Sequence, residues 1–374
     1  MATVEIILSR RLRASPYEPR VLEHGAKLFT LYNKMTLPQA FESFEADYAH
    51  LKEHVQIWDV ACERQVEAAG PDAHALMELV TPRDLSDLQI GQGVYAPLVD
   101  EFGGIVNDPI ILKVGEQRYW SSIADSDAVL WMKGIAYGRG MDVRVFEPDV
   151  SPLAIQGPKA DDLMADLVGE HVRDIKFFWF TEEVIADTPV LLARSGWSGQ
   201  GGFEIYLQDS SKALDLWDAV WEKGGKYNLR AGCPNVIERV ETGLMSYGTD
   251  MTLDNNPLEC GFDRFLKLGK KAEYMSRDAL DRIAAEGIEK KLVYLVIGGR
   301  RHESARETRD VFDGSGAKVG YITSQAFSPK FDATLAFAFI DIQHAGTGTR
   351  LQVITGDGER REARIHNRDW SAPD

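Results

Sequence analysis

A chain of 374 residues with 44% hydrophobic and 27% charged residues is long enough for two or three domains, each with a sizeable core. The formal net charge of −16 argues against a nucleic-acid backbone or an anionic membrane as partner, and no apolar run is long enough to span a bilayer. Cys62, Cys233 and Cys260 are widely spaced and form no CxxC pair, which suits a reducing, cytoplasmic setting rather than a disulfide framework.

The apolar residues 4–8 precede the basic stretch 9–13 instead of following it, so no secretory leader is expected and the folded protein is read as starting here. Residues 28–31 are apolar and lead into Tyr32-Asn33-Lys34-Met35. Residues 41–54 have helical spacing, with Phe41, Phe44, Tyr48 and Leu51 three or four apart, and 55–60 read as a short strand. His50 and His54 lie four apart on that helix, but HLKEH has its Glu at the wrong position for a zinc-protease helix and shows no third ligand, so no metal is expected. An internal similarity follows. VEAAGPDA at 66–73 matches LAIQGPKA at 153–160, each a strand, a Gly-Pro turn and an amphipathic helix, which suggests two related α/β lobes.

Residues 95–112, YAPLVDEFGGIVNDPIIL, read as strand, turn, strand, with Gly103 and Gly104 able to take positive φ in the turn. Asp108 sits in the second apolar run beside Pro109, which cannot donate to a ladder. A carboxylate there either ends the strand and caps a turn or stands at the mouth of a pocket, since burying it without a partner costs several kcal/mol. A strand at 119–124 and a helix at 126–137 come next, with Asp125 and Asp127 placed to cap the helix. A strand is expected at 142–147.

The glycines at 196, 199, 201 and 202 do not fit GxGxxG and precede a strand, so they make a tight hairpin and no nucleotide site. In the returning strand 203–207, alternation puts Glu204 and Tyr206 on one face and Phe203 and Ile205 on the other. That face is either an exposed polar surface or the wall of a cavity in which Glu204 binds a planar N–H donor. Helices are expected at 212–227 and 233–247. On the second, Arg239 and Glu241 cannot share a face, so either one is solvated and the other pairs locally, or Arg239 binds a ligand carboxylate through its planar fork. From about residue 288, β-like runs at 291–297, 317–324, 335–342 and 350–355, separated by Gly-rich turns, indicate a small all-β barrel or sandwich.

Four stretches in this order, GGIVNDPIIL, RSGWSGQGGFEIY, ERVETGLMSYGTDM and GYITSQAFSPKF, resemble the tetrahydrofolate-dependent methyl- and aminomethyltransferases of the glycine cleavage T-protein family. LKEHVQIWDVACERQVE, TPRDLS, SIADSD, EPDVSPLAIQGPKA, GCPNVIERVE and NPLECGFD are similar to the branch of that family that demethylates dimethylsulfoniopropionate. The resemblance implies an α+β fold of three domains: 1–60 with 148–247 (folate-binding), 61–147 with 248–287, and a C-terminal jelly-roll-like β-barrel at 288–374. Two mixed α/β lobes, one ferredoxin-like, would surround a central folate site. It further implies tetrahydrofolate as cofactor, a small-molecule substrate, and Asp108 as the active-site aspartate. Glu204 would anchor the pterin ring, Arg239 would lie near the folate tail, and Tyr95, Trp197 and Tyr206 would wall the pocket. Trp197, Tyr32 and Lys34 would face the methyl donor, and Arg301 would serve at the start of the third domain. Lys34 and Thr36 stand where the demethylase branch has His and Leu, and the charged loop 298–309 also departs from it, so the exact donor is left open. The alternatives are a methylated amine as donor, or a folate-binding regulatory protein without turnover. The oligomeric state is open, a homodimer included.

Overall fold

The structure is a computed structural model and describes residues 9–299, 309–355 and 358–371; the run 4–8, Arg301 and most of the loop 298–309 lie outside the described residues. The chain divides into two compact units, Met1–Val66 with Glu147–Asn235, and Glu67–Phe146 with Val236–Asp374.

The first unit is built on a six-stranded sheet in the order Phe180–Ile185, Thr188–Ala193, Gly202–Leu207, Ser151–Gln156, Gln56–Asp59, Arg230–Gly232. All pairs are antiparallel except the last. Ile57, Leu153, Ile155, Phe203 and Ile205 turn to one face and share a core with Leu163, Met164, Leu216 and Trp217 from the helices Ala160–Val168 and Ala213–Gly224. That parity sends Glu204 and Tyr206 to the other face.

The second unit holds a five-stranded sheet, Arg144–Phe146, Gln65–Ala69, Arg118–Ser122, Ile110–Gly115, Gly93–Tyr95, and a closed barrel. The barrel order is Lys290–Ile297, Ala333–Asp341, Lys318–Ser328, Arg309–Phe312, Arg350–Ile354, Arg360–His366, antiparallel throughout. Val293, Leu295, Ile297, Ala336, Ala338, Ile340, Ala363 and Ile365 fill it. The β-rich tail expected from sequence is therefore a barrel with no open edge. Its last strand, RREARIH, was not expected because only Ala363 and Ile365 face the core while the outer positions are charged. The strands Met35–Ala40, Phe180–Ile185 and Arg309–Phe312 were also not anticipated.

The expected helix at 233–247 is corrected to Val236–Glu241. Gly243 takes φ +70°, and Leu244 N–H reaches back to Arg239 O at 2.8 Å, a left-handed helix end that only glycine adopts without strain. The expected side-chain capping role is corrected for Asp127. Asp127 stands at the N-cap of Ala128–Gly138 with no side-chain cap hydrogen bond, and Ser126 Oγ instead donates to Val106 O at 2.9 Å.

The internal similarity is structural. Gln65–Ala69 leads through Gly70-Pro71 to the helix Ala73–Val80, and Ser151–Gln156 leads through Gly157-Pro158 to Ala160–Val168. Both glycines have positive φ (+141° and +128°), and each lies over a carbonyl, Asp142 O for Gly70 and His54 O for Gly157. A Cβ on Gly157 would overlap the His54 carbonyl oxygen, whereas one on Gly25, φ +82°, would meet nothing within 4 Å. Gly157→Ala should therefore destabilise the protein by about 3 kcal/mol and Gly25→Ala by about 1 kcal/mol in denaturant unfolding. Equal shifts for the two variants would contradict the close-approach argument.

Candidate functional site

The segment around Asp108 shows how two prolines shape a site in the second unit. The hairpin expected at 95–112 is present but broken on both arms. Gly93–Tyr95 pairs with Ile110–Gly115, while Leu98–Val99 pairs with Ile105–Asn107 in a separate two-stranded ladder. Pro97 and Pro109 lie at the breaks and cannot donate to a ladder. The turn itself is held by Asp100, whose Oδ1 accepts from Gly104 N–H at 2.7 Å and Phe102 N–H at 3.0 Å. Asp108 thus sits off both ladders, between two strands. Next to it, the buried Asn107 amide is stitched to Ala124, with Nδ2 donating to Ala124 O and Oδ1 accepting from Ala124 N–H, each at 2.9 Å.

Tyr95 OH donates to Asp108 Oδ2 at 3.0 Å. The Tyr95 ring meets Phe262 edge-on, at 5.5 Å between centroids, and Phe265 at a tilt, at 4.7 Å. Burial pushes the Asp108 carboxyl up to about 7, against the pull of the Tyr95 hydrogen bond, and the charge of Asp250 adds to the rise. The Tyr95 phenol is pushed well above its ordinary value by burial and by the charge of Asp108. The side chain that holds Asp108 is thus a tyrosine hydroxyl, while the turn of the hairpin is held by Asp100.

Arg239 and Glu241 are both buried, which overturns the expectation that one of them is solvated. Arg239 Nη1 pairs with Asp250 Oδ2 at 2.7 Å, and Nη2 donates to Ser324 Oγ at 2.5 Å. Asp250 also accepts from Ser246 N–H and from the hydroxyls of Thr323 and Ser324. The fork that one of the two sequence readings gives to a ligand carboxylate is engaged by a protein carboxylate, Asp250, which the sequence did not single out. Glu241 Oε1 accepts from Ser328 Oγ at 2.5 Å.

In the first unit the second carboxylate, Glu204, is only 7% exposed, so the polar face of its strand is not a solvated surface. Tyr206, two residues on, donates its OH to Glu204 Oε2 at 2.9 Å, and Ser195 Oγ donates to the same oxygen at 2.6 Å. Among the described residues, Oε1 accepts no hydrogen bond. Burial raises the pKa of Glu204, and the two hydroxyls act against the rise. A carboxylate so placed can take planar N–H donors through Oε1. Ser195 was overlooked as a site residue, although it opens the quoted hairpin. Trp197 stands half-buried on that hairpin. Tyr32 is half-buried against the unit's core, and Lys34 is exposed at a turn in which Asn33 and Lys34 both have positive φ, +49° and +63°. Asn33 pins this turn by donating to Cys62 O at 3.0 Å.

A family model described as the GCVT N-terminal domain matches residues 17–270, and one described as the glycine cleavage T-protein C-terminal barrel domain matches residues 290–369. The chain is 47% identical over 355 residues to the dimethylsulfoniopropionate demethylase DmdA of Ruegeria pomeroyi, covering 95% of this chain and 96% of that one. It is 30% identical over 349 residues to an aminomethyltransferase of Bacillus cereus, covering 91% and 93%. The solved aminomethyltransferase T of the Bartonella henselae glycine cleavage system shares the fold, with a TM-score of 0.85, 23% identity, and coverage of 96% of this chain and 98% of that one. The chain belongs to the glycine cleavage T-protein family.

Proposed function

We propose that the protein is a tetrahydrofolate-dependent methyltransferase that demethylates dimethylsulfoniopropionate to methylmercaptopropionate, with 5-methyltetrahydrofolate as the second product. The observation that carries this reading is the end-to-end 47% identity to a dimethylsulfoniopropionate demethylase, against 30% to an aminomethyltransferase of similar coverage. Tetrahydrofolate, when bound, supplies a nucleophilic nitrogen that accepts the methyl group. Glu204 fits such a cofactor, because its buried carboxylate keeps one oxygen open for the N–H edge of a pterin while Ser195 and Tyr206 fix the other. Asp108, held by Tyr95, places negative charge where a cationic donor or an amine N–H can meet it. Trp197 offers a π-face to a sulfonium. A sulfonium is already a good leaving group, so alignment supplies most of the rate. Tyr32 and Lys34 are proposed to contact the donor, Arg239 to support the folate tail through its place beside Asp250, and the three-domain division to underlie the two compact units. The protein is proposed to act in the cytoplasm; no helix among the described residues is long and apolar enough to cross a membrane.

One observation favours a second reading, transfer from a methylated amine. With its pKa at about 7, Asp108 is poised to exchange a proton near neutrality, which amine chemistry needs and sulfonium chemistry does not. Anaerobic steady-state assays with dimethylsulfoniopropionate, sarcosine and dimethylglycine separate the two. The proposal expects sulfonium turnover with methylfolate and thioether formed in equal amounts over many cycles, and amines at least about a hundredfold slower in kcat/KM. Preference for an amine would overturn it, and no turnover with any donor would point to a folate-binding protein without catalysis.

The ionised fraction of Asp108 grows as pH rises through about 7. kcat/KM should therefore climb through that pH and level off above it, while Asp108→Asn should lie roughly a hundredfold or more below and be flat. A parent profile that stays flat between pH 5.5 and 8.5 would remove the Asp108 charge from the mechanism. Because burial holds the folded-state pKa of Asp108 above its unfolded value of about 3.9, its contribution to stability is full below about pH 4 and is lost as pH rises through 7. Asp108→Asn should accordingly be folded, and more stable than the parent at pH 8 but not at pH 4, by denaturant unfolding.

A further inference from the structure

Gln156 ends the central strand Ser151–Gln156 and is fully buried, at 0% exposure. A buried amide is costly unless each of its polar atoms is met. Here Nε2 donates to Ser195 O at 3.0 Å and to Phe203 O at 3.3 Å, while Oε1 accepts from Ser198 Oγ at 2.7 Å. Ser198 Oγ in turn accepts from Gln200 N–H at 3.2 Å. One side chain therefore ties both arms of the glycine hairpin. Two of the hairpin glycines exist to admit it. Gly196, φ +148°, and Gly202, φ +147°, lie so close that a Cβ on either would overlap the Gln156 side chain, and on Gly202 the Ile155 carbonyl as well.

The strand–Gly-Pro–helix element itself does not require this amide. In the second strand–Gly-Pro–helix copy the matching position is Ala69, and the unit forms without it. What Gln156 reaches in the first copy is the backbone of Ser195, the residue whose hydroxyl fixes Glu204 Oε2. It also reaches the backbone of Phe203, the residue before Glu204.

We propose that Gln156 is a positioning residue for the Glu204 carboxylate: it sets Ser195 and the start of the returning strand so that Oε2 is held and Oε1 is presented to the N–H edge of the folate. The proposal rests on the reading of Glu204 as the pterin anchor. Gln156 does not touch the folate itself.

The test compares the parent, Gln156→Met, Glu204→Gln and the double variant for tetrahydrofolate affinity by anaerobic calorimetry, with KM measured separately for each substrate. Methionine keeps the length of glutamine and removes its hydrogen bonds. The proposal expects Gln156→Met to weaken tetrahydrofolate binding at least about tenfold and to raise KM for the methyl donor, which Trp197 on the same hairpin faces, by a clearly smaller factor, an asymmetry that a loss of general stability would not produce. It also expects the double variant to bind within about twofold of Glu204→Gln alone, because both changes disable one interaction. Parent-like affinity in a folded Gln156→Met protein, or losses that multiply in the double variant, would overturn the proposal while leaving Glu204 as the anchor. Parent-like affinity in Glu204→Gln would instead overturn the anchor reading, and the proposal with it. Should Gln156→Met fail to fold, Ser198→Ala takes its place in the same cycle. It frees Gln156 Oε1 from its partner and should weaken folate binding about threefold, again without further loss on top of Glu204→Gln; no loss, or a multiplying one, overturns the proposal.

Discussion

A carboxylate withdrawn from water without a cation beside it is the constraint on which the proposed chemistry of this chain depends. Several buried carboxylates are fully met. Glu78 pairs with Lys270, Glu67 with Arg118, Asp250 with Arg239, and Asp47 accepts the backbone N–H groups of Phe41 and Glu42. Asp59 meets the Ser15 hydroxyl and the Ala61 N–H, and burial raises its pKa to about 6. Asp108 and Glu204 likewise differ from the first four. The side chains that reach them are hydroxyls, Tyr95 for the first and Ser195 with Tyr206 for the second, and burial raises the pKa of both. Hydroxyls orient a carboxylate without neutralising it. Each group is left able to gain from a ligand that brings N–H donors or positive charge, which is the chemistry of a pterin edge and of a sulfonium or amine donor.

Both carboxylates are placed by backbone irregularities that a short sequence stretch encodes. Around Asp108 the irregularities are Pro97 and Pro109, which end one ladder and start another, so that the residue between them projects from neither. Around Glu204 they are glycines that let the hairpin close over a buried amide. In each unit a regular sheet supplies the rigidity, and one break in regularity presents the candidate carboxylate. The duplicated strand–Gly-Pro–helix element shows the same division, with a shared scaffold in both copies and the buried amide in only one.

Much of this was legible in the sequence because the signals were local. The oddity of Asp108 in an apolar run, the parity that joins Glu204 to Tyr206, the two Gly-Pro elements and the β-rich tail all follow from residues within a few positions of one another. What was not legible depends on distant partners. Asp250, eleven positions from Arg239, also meets the barrel-strand hydroxyls of Thr323 and Ser324, which are 73 and 74 positions away. Glu241 meets Ser328 across 87 positions, so neither Arg239 nor Glu241 could be recognised as buried from helical spacing. The rings that pack on Tyr95, Phe262 and Phe265, come from a segment with no regular periodicity. The strand Arg360–His366 was hidden by charges on its outer face, and the helix at 236–241 was read too long because Gly243 in a polar stretch does not announce a left-handed turn.

The central claim is that an intact methyl group leaves a sulfonium and arrives on tetrahydrofolate in one transfer. The measurement that tests it most directly uses dimethylsulfoniopropionate with trideuterated S-methyl groups in an anaerobic single turnover, with the folate product read by mass spectrometry. One-step transfer yields 5-methyltetrahydrofolate heavier by three mass units, formed one-for-one with the thioether. Folate product carrying only two deuterons, or none, would mean that the carbon does not move as a methyl group and would contradict it.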